Sequence, residues 1–141
     1  SRVPGARLLL GGHGLKPVGS QPGLEILGVV PRSEDLLSRI SVLAFPCPPS
    51  TGAKIKVLEA IGRGVPVVTT PDGIEGLQLS PGGGARTTTI PDFATALASL
   101  LRDPGERAAL SAQGVADIAT HHAPARAADA LAEACRPLLD A

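Results

Sequence analysis

Short apolar runs bounded by glycine and proline alternate along this chain with stretches whose apolar positions recur every three or four residues. Residues 7–11 (RLLLG), closed by Gly11-Gly12-His13-Gly14, predict a buried strand and a glycine turn. Residues 24–30 (LEILGVV), preceded by Gln21-Pro22-Gly23, predict a second strand. Ser33 and Glu34 then open a short helix, with Ser33 as its cap and Leu36, Leu37 and Ile40 on one side. A third strand is predicted over 41–45, stopped by Pro46 and the Pro48-Pro49 pair.

From about residue 53 to 63 the period is helical, which predicts a face of Ile55, Leu58 and Ile61 with Val57 alongside. Residues 65–70 are apolar through their centre and predict a fourth strand; 86–90, rich in β-branched threonine, predict a weaker fifth. After Pro91 the pattern is helical to the end, over 92–101, 105–120 and 125–139. Gly82-Gly83-Gly84 reads as a mobile loop. Apolar strands alternating with helices predict an α/β fold, a Rossmann-like parallel sheet with helices on both faces.

Composition narrows the function. With 141 residues, 43% hydrophobic and 18% charged, the chain is expected to form one soluble globular domain. Thirteen basic and 13 acidic residues give a net charge of +0. No basic stripe exists and Phe45 and Phe93 are the only aromatics, which argues against a nucleic-acid surface. The apolar runs are too short to span a bilayer, and no secretion leader is visible. Cys47 and Cys135 are too few for a disulfide framework and lack zinc spacing, so reduced thiols in a cytoplasmic protein are expected. The absence of a starting Met, and an opening close to a strand, suggest a fragment of something longer.

The candidate chemistry lies in 46–77, PCPPSTGAKIKVLEAIGRGVPVVTTPDGIEGL. A small-residue loop (Ser50, Thr51, Gly52) stands before a helix carrying Glu59. A loop opening onto a helix N-terminus presents unpaired N–H groups and a positive dipole end, which suit phosphate oxygens. Glu59 could accept hydrogen bonds from sugar hydroxyls, or be an ordinary solvated helix residue. Lys54 and Lys56 could neutralise phosphate charge or simply be solvated. Glu75 follows a strand's carboxyl end, where ligands of open α/β sheets gather, and is equally readable as a loop carboxylate. His13 reads best as a turn residue, and His121 and His122 as a helix end. No G-x-S-x-G, no G-x-x-x-x-G-K-[ST] and no G-x-G-x-x-G is present.

The wording GAKIKVLEAIGRGVPVVTT resembles the donor-binding core of retaining, GT-B-type glycosyltransferases of the family-4 kind (glycosyl transferases group 1), usually written G-T-K-x-K-V-L-E-A-M-A-x-G-x-P-V-V-x-T. Three further segments resemble the family in order and spacing: PGARLLLGGHG, LEILGVVPRSEDLLSRISVLAFPC and IPDFATALASLLRDPGERAAL. The resemblance implies that residues 1–141 are a partial carboxyl-terminal, nucleotide-sugar-binding domain, without the acceptor-binding amino-terminal domain.

By that resemblance Glu59 would contact the ribose, while Thr51 stands where the family often has a glutamate near the transferred sugar. Backbone amides of Ser50, Thr51, Gly52, Ala53 and Lys54 would cradle the diphosphate, Val29 and Val30 would read the base, and Gly12 and Gly14 would let the backbone approach the ligand. Catalytic residues are not assigned. The resemblance implies transfer of a sugar from a nucleoside diphosphate, such as a UDP-sugar, to an acceptor with retention. The alternative is a non-catalytic nucleotide-sugar-binding or interaction module of the same fold.

No cofactor or metal is expected beyond the donor itself. Expected partners are the donor, an acceptor and the missing amino-terminal lobe. The full-length protein is expected in the cytoplasm, with a peripheral place on the inner membrane face left open. The family's first strand and helix are also lacking, and that strand would be central, between those at 7–11 and 41–45. Unless these neighbours close up or another strand inserts, the isolated chain is expected to be marginally stable, or to borrow a strand from a second copy.

Overall fold

The computed structural model describes residues 3–15, 19, 21–49, 52 and 54–139, the last three of these (137–139) as backbone only. Five strands and five helices follow in the order β1 (Leu8–Gly11), β2 (Leu24–Gly28), α1 (Ser33–Leu37), β3 (Leu43–Phe45), α2 (Ile55–Gly62), β4 (Val67–Thr69), β5 (Ala85–Thr87), α3 (Phe93–Arg102), α4 (Pro104–His121) and α5 (Pro124–Leu139), with a 3-10 turn at Pro71–Ile74. Every strand pairing is parallel, and helices flank the sheets. This is the expected α/β, Rossmann-like class.

The sheet is split. β1 pairs with β2, and β3–β4–β5 form a separate three-stranded sheet. The neighbours at 7–11 and 41–45 have therefore not closed up, and no ladder joins them among the described residues.

The core lies on both faces of the three-stranded sheet, because successive side chains of β4 point oppositely. Val67 packs with Leu37, Val57, Ala60 and Ile61 from α1 and α2, while Val68 packs with Leu100 and Leu110 from α3 and α4. The buried face of α2 is Val57, Ala60 and Ile61, with Lys54 just before the helix also buried. Ile55 is instead 64% exposed. The expected Ile55-Leu58-Ile61 face is therefore rotated, because hydropathy gives no inward weight to Lys54 and little to Ala60.

Ser33 is the first residue of α1 and not its cap; Arg32 holds the cap position and makes no side-chain cap bond. Arg32 instead pairs with Asp35, whose hydrogen bond holds that carboxyl below its usual range.

Gly82-Gly83-Gly84 is a packed junction, which corrects the reading of a mobile loop. A Cβ at Gly84 would lie 2.5 Å from Ile61 Cγ2, and one at Gly114 in α4 would lie 2.6 Å from the Gly84 Cα. One at Gly83 would lie 2.0 Å from Asp117 Oδ2. Three elements meet here at distances only hydrogen allows.

Asp117, 4% exposed, clamps the same loop. Its carboxylate accepts from Ser80 N (2.8 Å), Ser80 Oγ (2.9 Å) and Gln113 Nε2 (3.0 Å). The Ser80 amide chiefly, then the Ser80 hydroxyl, Gln113 and nearby His121, hold its pKa below the ordinary 3.8 despite the opposing effect of burial. A depressed folded pKa contributes stability that is complete above the unfolded value and is lost as pH falls through the folded one. Asp117→Asn is expected to lower the urea midpoint at pH 7, with the deficit shrinking as pH drops below about 4. Equal deficits at pH 7 and pH 3 would show that the carboxylate's charge contributes nothing.

Candidate functional site

All strands of each sheet end on one side; most candidate residues occupy the loops that leave those ends, while Lys56 and Glu59 lie on the helix that follows β3. Gly12 and Gly14, at φ 147° and 68°, carry the turn after β1, and a Cβ at either would meet nothing within 4 Å. Here glycine answers to backbone conformation with open space above it, the reverse of the crowded junction at Gly84. Val29 and Val30 lie just past β2, which ends at Gly28 and so stops two residues before the expected end. Val29 is 56% exposed, whereas Val30 is half-buried and leaves no room for a Cβ on Gly11, which would lie 2.6 Å from its Cγ2. The Gly12 amide donates to the Gly28 carbonyl at 2.8 Å, so the two turns form one unit.

The second unit follows β3. Ser50, Thr51 and Ala53 lie outside the described residues. Gly52 takes φ 91°, again with nothing within 4 Å of a built Cβ. α2 begins at Ile55, two residues later than expected, and Lys54 at its cap position supplies no side-chain acceptor. The Val57 and Leu58 amides bond back to the Lys54 carbonyl at 2.9 and 3.0 Å, leaving the Ile55 and Lys56 amides without an intrahelical partner. These are the groups a bound anion could use. Lys54, 7% exposed, donates from Nζ to the Gly52 carbonyl at 2.7 Å. The ammonium thus braces the loop from within, while Lys56 is exposed.

Glu59 stands in the middle of α2, half-buried, and among the described residues its carboxylate has no hydrogen bond or ion pair. Asp72, also half-buried, shares this lack of a partner among the described residues, whereas Glu25 joins Arg7 (2.9 Å) and Arg39 (2.6 Å), and Glu34 joins Arg32 (2.9 Å) and Arg63 (3.4 Å). The Arg39 hydrogen bond, with the charges of Arg39 and Arg7, holds the Glu25 carboxyl below its usual range.

Two buried threonines hold the strand ends beneath the site. Thr69 Oγ1 donates to the Phe45 carbonyl at 2.7 Å and Thr70 Oγ1 to the Cys47 carbonyl at 2.5 Å. Gly73 sits directly on Thr69, where a Cβ would lie 1.8 Å from Oγ1, so the turn carrying exposed Glu75 is seated on the end of β4. Sequence reasoning missed both threonines. Their only signal was a polar pair closing an apolar strand.

His13 is exposed, and α4 ends at His121 as expected. His122 Nε2 accepts from the Gln78 amide at 3.2 Å, a structural use the sequence did not suggest. Among the described residues no three His, Cys, Asp or Glu side chains are grouped as a metal would need, and no helix is long and apolar enough to cross a membrane.

A parallel α/β unit with glycine turns and an uncapped helix start at its strand ends has a Rossmann-like layout. The sequence model of the glycosyl transferases group 1 matches residues 2–103, from before β1 to the end of α3, and the chain belongs to that family. The chemistry of the family is glycosyl transfer. No curated protein and no solved structure matches the chain.

Proposed function

We propose that this chain is the donor-binding lobe of a retaining GT-B glycosyltransferase that takes a hexose-type sugar from a nucleoside diphosphate. The observation that carries this reading is Glu59: a half-buried carboxylate without a partner among the described residues, on a helix whose start is reached through Gly52 and lacks a side-chain cap. Burying a carboxylate without engaging it costs free energy, and donors from a ligand would relieve that cost.

The parts divide the ligand between them. The amides at 50–54 and the positive end of α2 take the diphosphate and stabilise charge gathering on the leaving group. Lys54 holds that loop in shape and adds positive charge beneath it. Glu59 accepts from the ribose hydroxyls and so sets the register of the sugar. The paired turns at Gly12, Gly14, Val29 and Val30 offer backbone groups to the base. The acceptor and its binding lobe come from the rest of a cytoplasmic two-lobed enzyme, and the acceptor attacks on the face from which the diphosphate departs.

Calorimetric titration with UDP, GDP and ADP tests this reading. One diphosphate is expected to bind in preference to the other two. Equal, undetectable heats for all three on a chain shown to be folded would count against a donor site in this domain.

A further inference from the structure

Among the described residues the half-buried carboxylates fall into two groups. Glu25, Glu34, Asp35 and Glu106 each pair with an arginine. Glu59 and Asp72 engage nothing. A carboxylate half withdrawn from water without a donor carries a desolvation cost that a ligand's donors would relieve. Glu59 already has its place in the donor reading; Asp72 has none.

Asp72 is held on a firm mount. The 3-10 turn at Pro71–Ile74 follows β4 directly, and its Gly73 amide donates to the Thr70 carbonyl at 2.9 Å. Gly73 rests on Thr69, while Ile74 and Leu77 pack into the core shared by α1 and α2. The Thr70 hydroxyl ties the base of the turn to the Cys47 carbonyl, in the segment leading from β3 to α2. At most about 7 Å of chain separates Thr70 from Asp72, so Asp72 stands beside that segment. An acidic residue at a helix start often answers the helix dipole, but a turn of four residues has little dipole to answer.

The sheet order says which end of a donor reaches it. β4 flanks β3 on one side. β1 flanks it on the other, since residues 8–10 and 43–44 line a common cavity. With the diphosphate at the start of α2 and the base at the turns after β1 and β2, the nucleoside runs toward β1. The group on the other phosphate then runs toward β4 and Asp72. A carboxylate repels phosphate oxygens but accepts well from hydroxyls, and a hexose presents several.

We propose that Asp72 is a donor-contacting residue whose carboxylate accepts hydrogen bonds from hydroxyls of the transferred sugar. This rests on the donor-lobe reading and assigns the far end of the same ligand.

The test is calorimetric titration of the whole chain, in EDTA, with UDP, GDP and ADP and with UDP-glucose, GDP-mannose and ADP-glucose. Wild type, Asp72→Ala and Asp72→Asn are compared, with urea midpoints taken alongside. Asp72→Ala is expected to weaken the tightest sugar conjugate roughly tenfold or more. The bare diphosphate of the same base is expected to bind unchanged or up to about threefold tighter, because a like charge has been removed. Asp72→Asn keeps an acceptor and the shape, so for the conjugate it is expected to fall between wild type and Ala. Equal effects on conjugate and diphosphate, or none on either, would overturn the assignment of Asp72 and leave the donor reading standing. A loss seen only when Mg²⁺ replaces EDTA would also overturn it, making the carboxylate a cation ligand. No binding of any diphosphate or conjugate to the folded wild-type chain would remove the donor site itself, and the role of Asp72 with it.

Discussion

Gly114→Val is expected to destabilise the domain by about 3 kcal/mol, the upper part of the range for overpacking a close-packed site. Helix propensity alone predicts a modest gain, because glycine is the poorer helix former by several tenths of a kcal/mol. Packing decides the sign here. A Cβ at Gly114 would stand 2.6 Å from the Gly84 Cα, 3.0 Å from the Gly84 amide nitrogen and 2.6 Å from Ile61 Cγ2. Two of those atoms are backbone and cannot rotate away, and Ile61 is 1% exposed with no space to yield into. The measurement is the urea midpoint at constant slope. Gly105→Val is the comparison: it also lies in α4, and its built Cβ meets only Asp103 Oδ1 at 3.4 Å. A Gly114 variant as stable as that one would refute the close approach of α4 to the 82–84 turn.

Glu59→Ala is expected to weaken binding of the preferred nucleoside diphosphate by about 1.5–3 kcal/mol, the range for a hydrogen bond involving a charged group, or roughly 10- to 150-fold in Kd. The same substitution is expected to leave the urea midpoint unchanged or slightly higher, since Glu59 has no partner to lose among the described residues and its partial burial is a cost. That pairing of effects separates a ligand-facing carboxylate from a structural one. Glu59→Gln keeps an acceptor and the side-chain length, so it is expected to fall between wild type and Ala. If Ala and wild type bind the nucleotide equally, Glu59 does not touch the ribose, and the register proposed for the donor is wrong.

Strand and helix types were legible in the sequence because apolar runs between glycine and proline breaks, and three-to-four-residue periods, are local signals. Boundaries were less so: α2 starts at Ile55 and β2 stops at Gly28, where caps and turns and not hydropathy decide. The inward face of α2 was misjudged because its smallest and most polar contributors, Ala60 and Lys54, are set inward by the sheet above them. The Gly82-Gly83-Gly84 junction could not be read locally. Its partner Gly114 lies in another element, and a run of glycine looks the same whether it faces solvent or a helix. At the site, the wording around Glu59 was informative in itself, while the clamp of Asp117 on Ser80 joins residues too far apart in sequence for spacing to suggest.

The crowding around Ile61 bears on where this folding unit can be cut. The match to the glycosyl transferases group 1 ends at residue 103, one position before α4 begins at Pro104. Yet α4 supplies Gly114 against the helix that carries Glu59, Asp117 for the 80–84 loop, and Ile118 and Leu110 to the two halves of the core. A chain trimmed to the matched region would bare one side of Ile61 and leave the helix bearing Glu59 without its backing. The smallest piece able to hold the candidate site in shape therefore extends through His121, beyond the span by which the family is recognised.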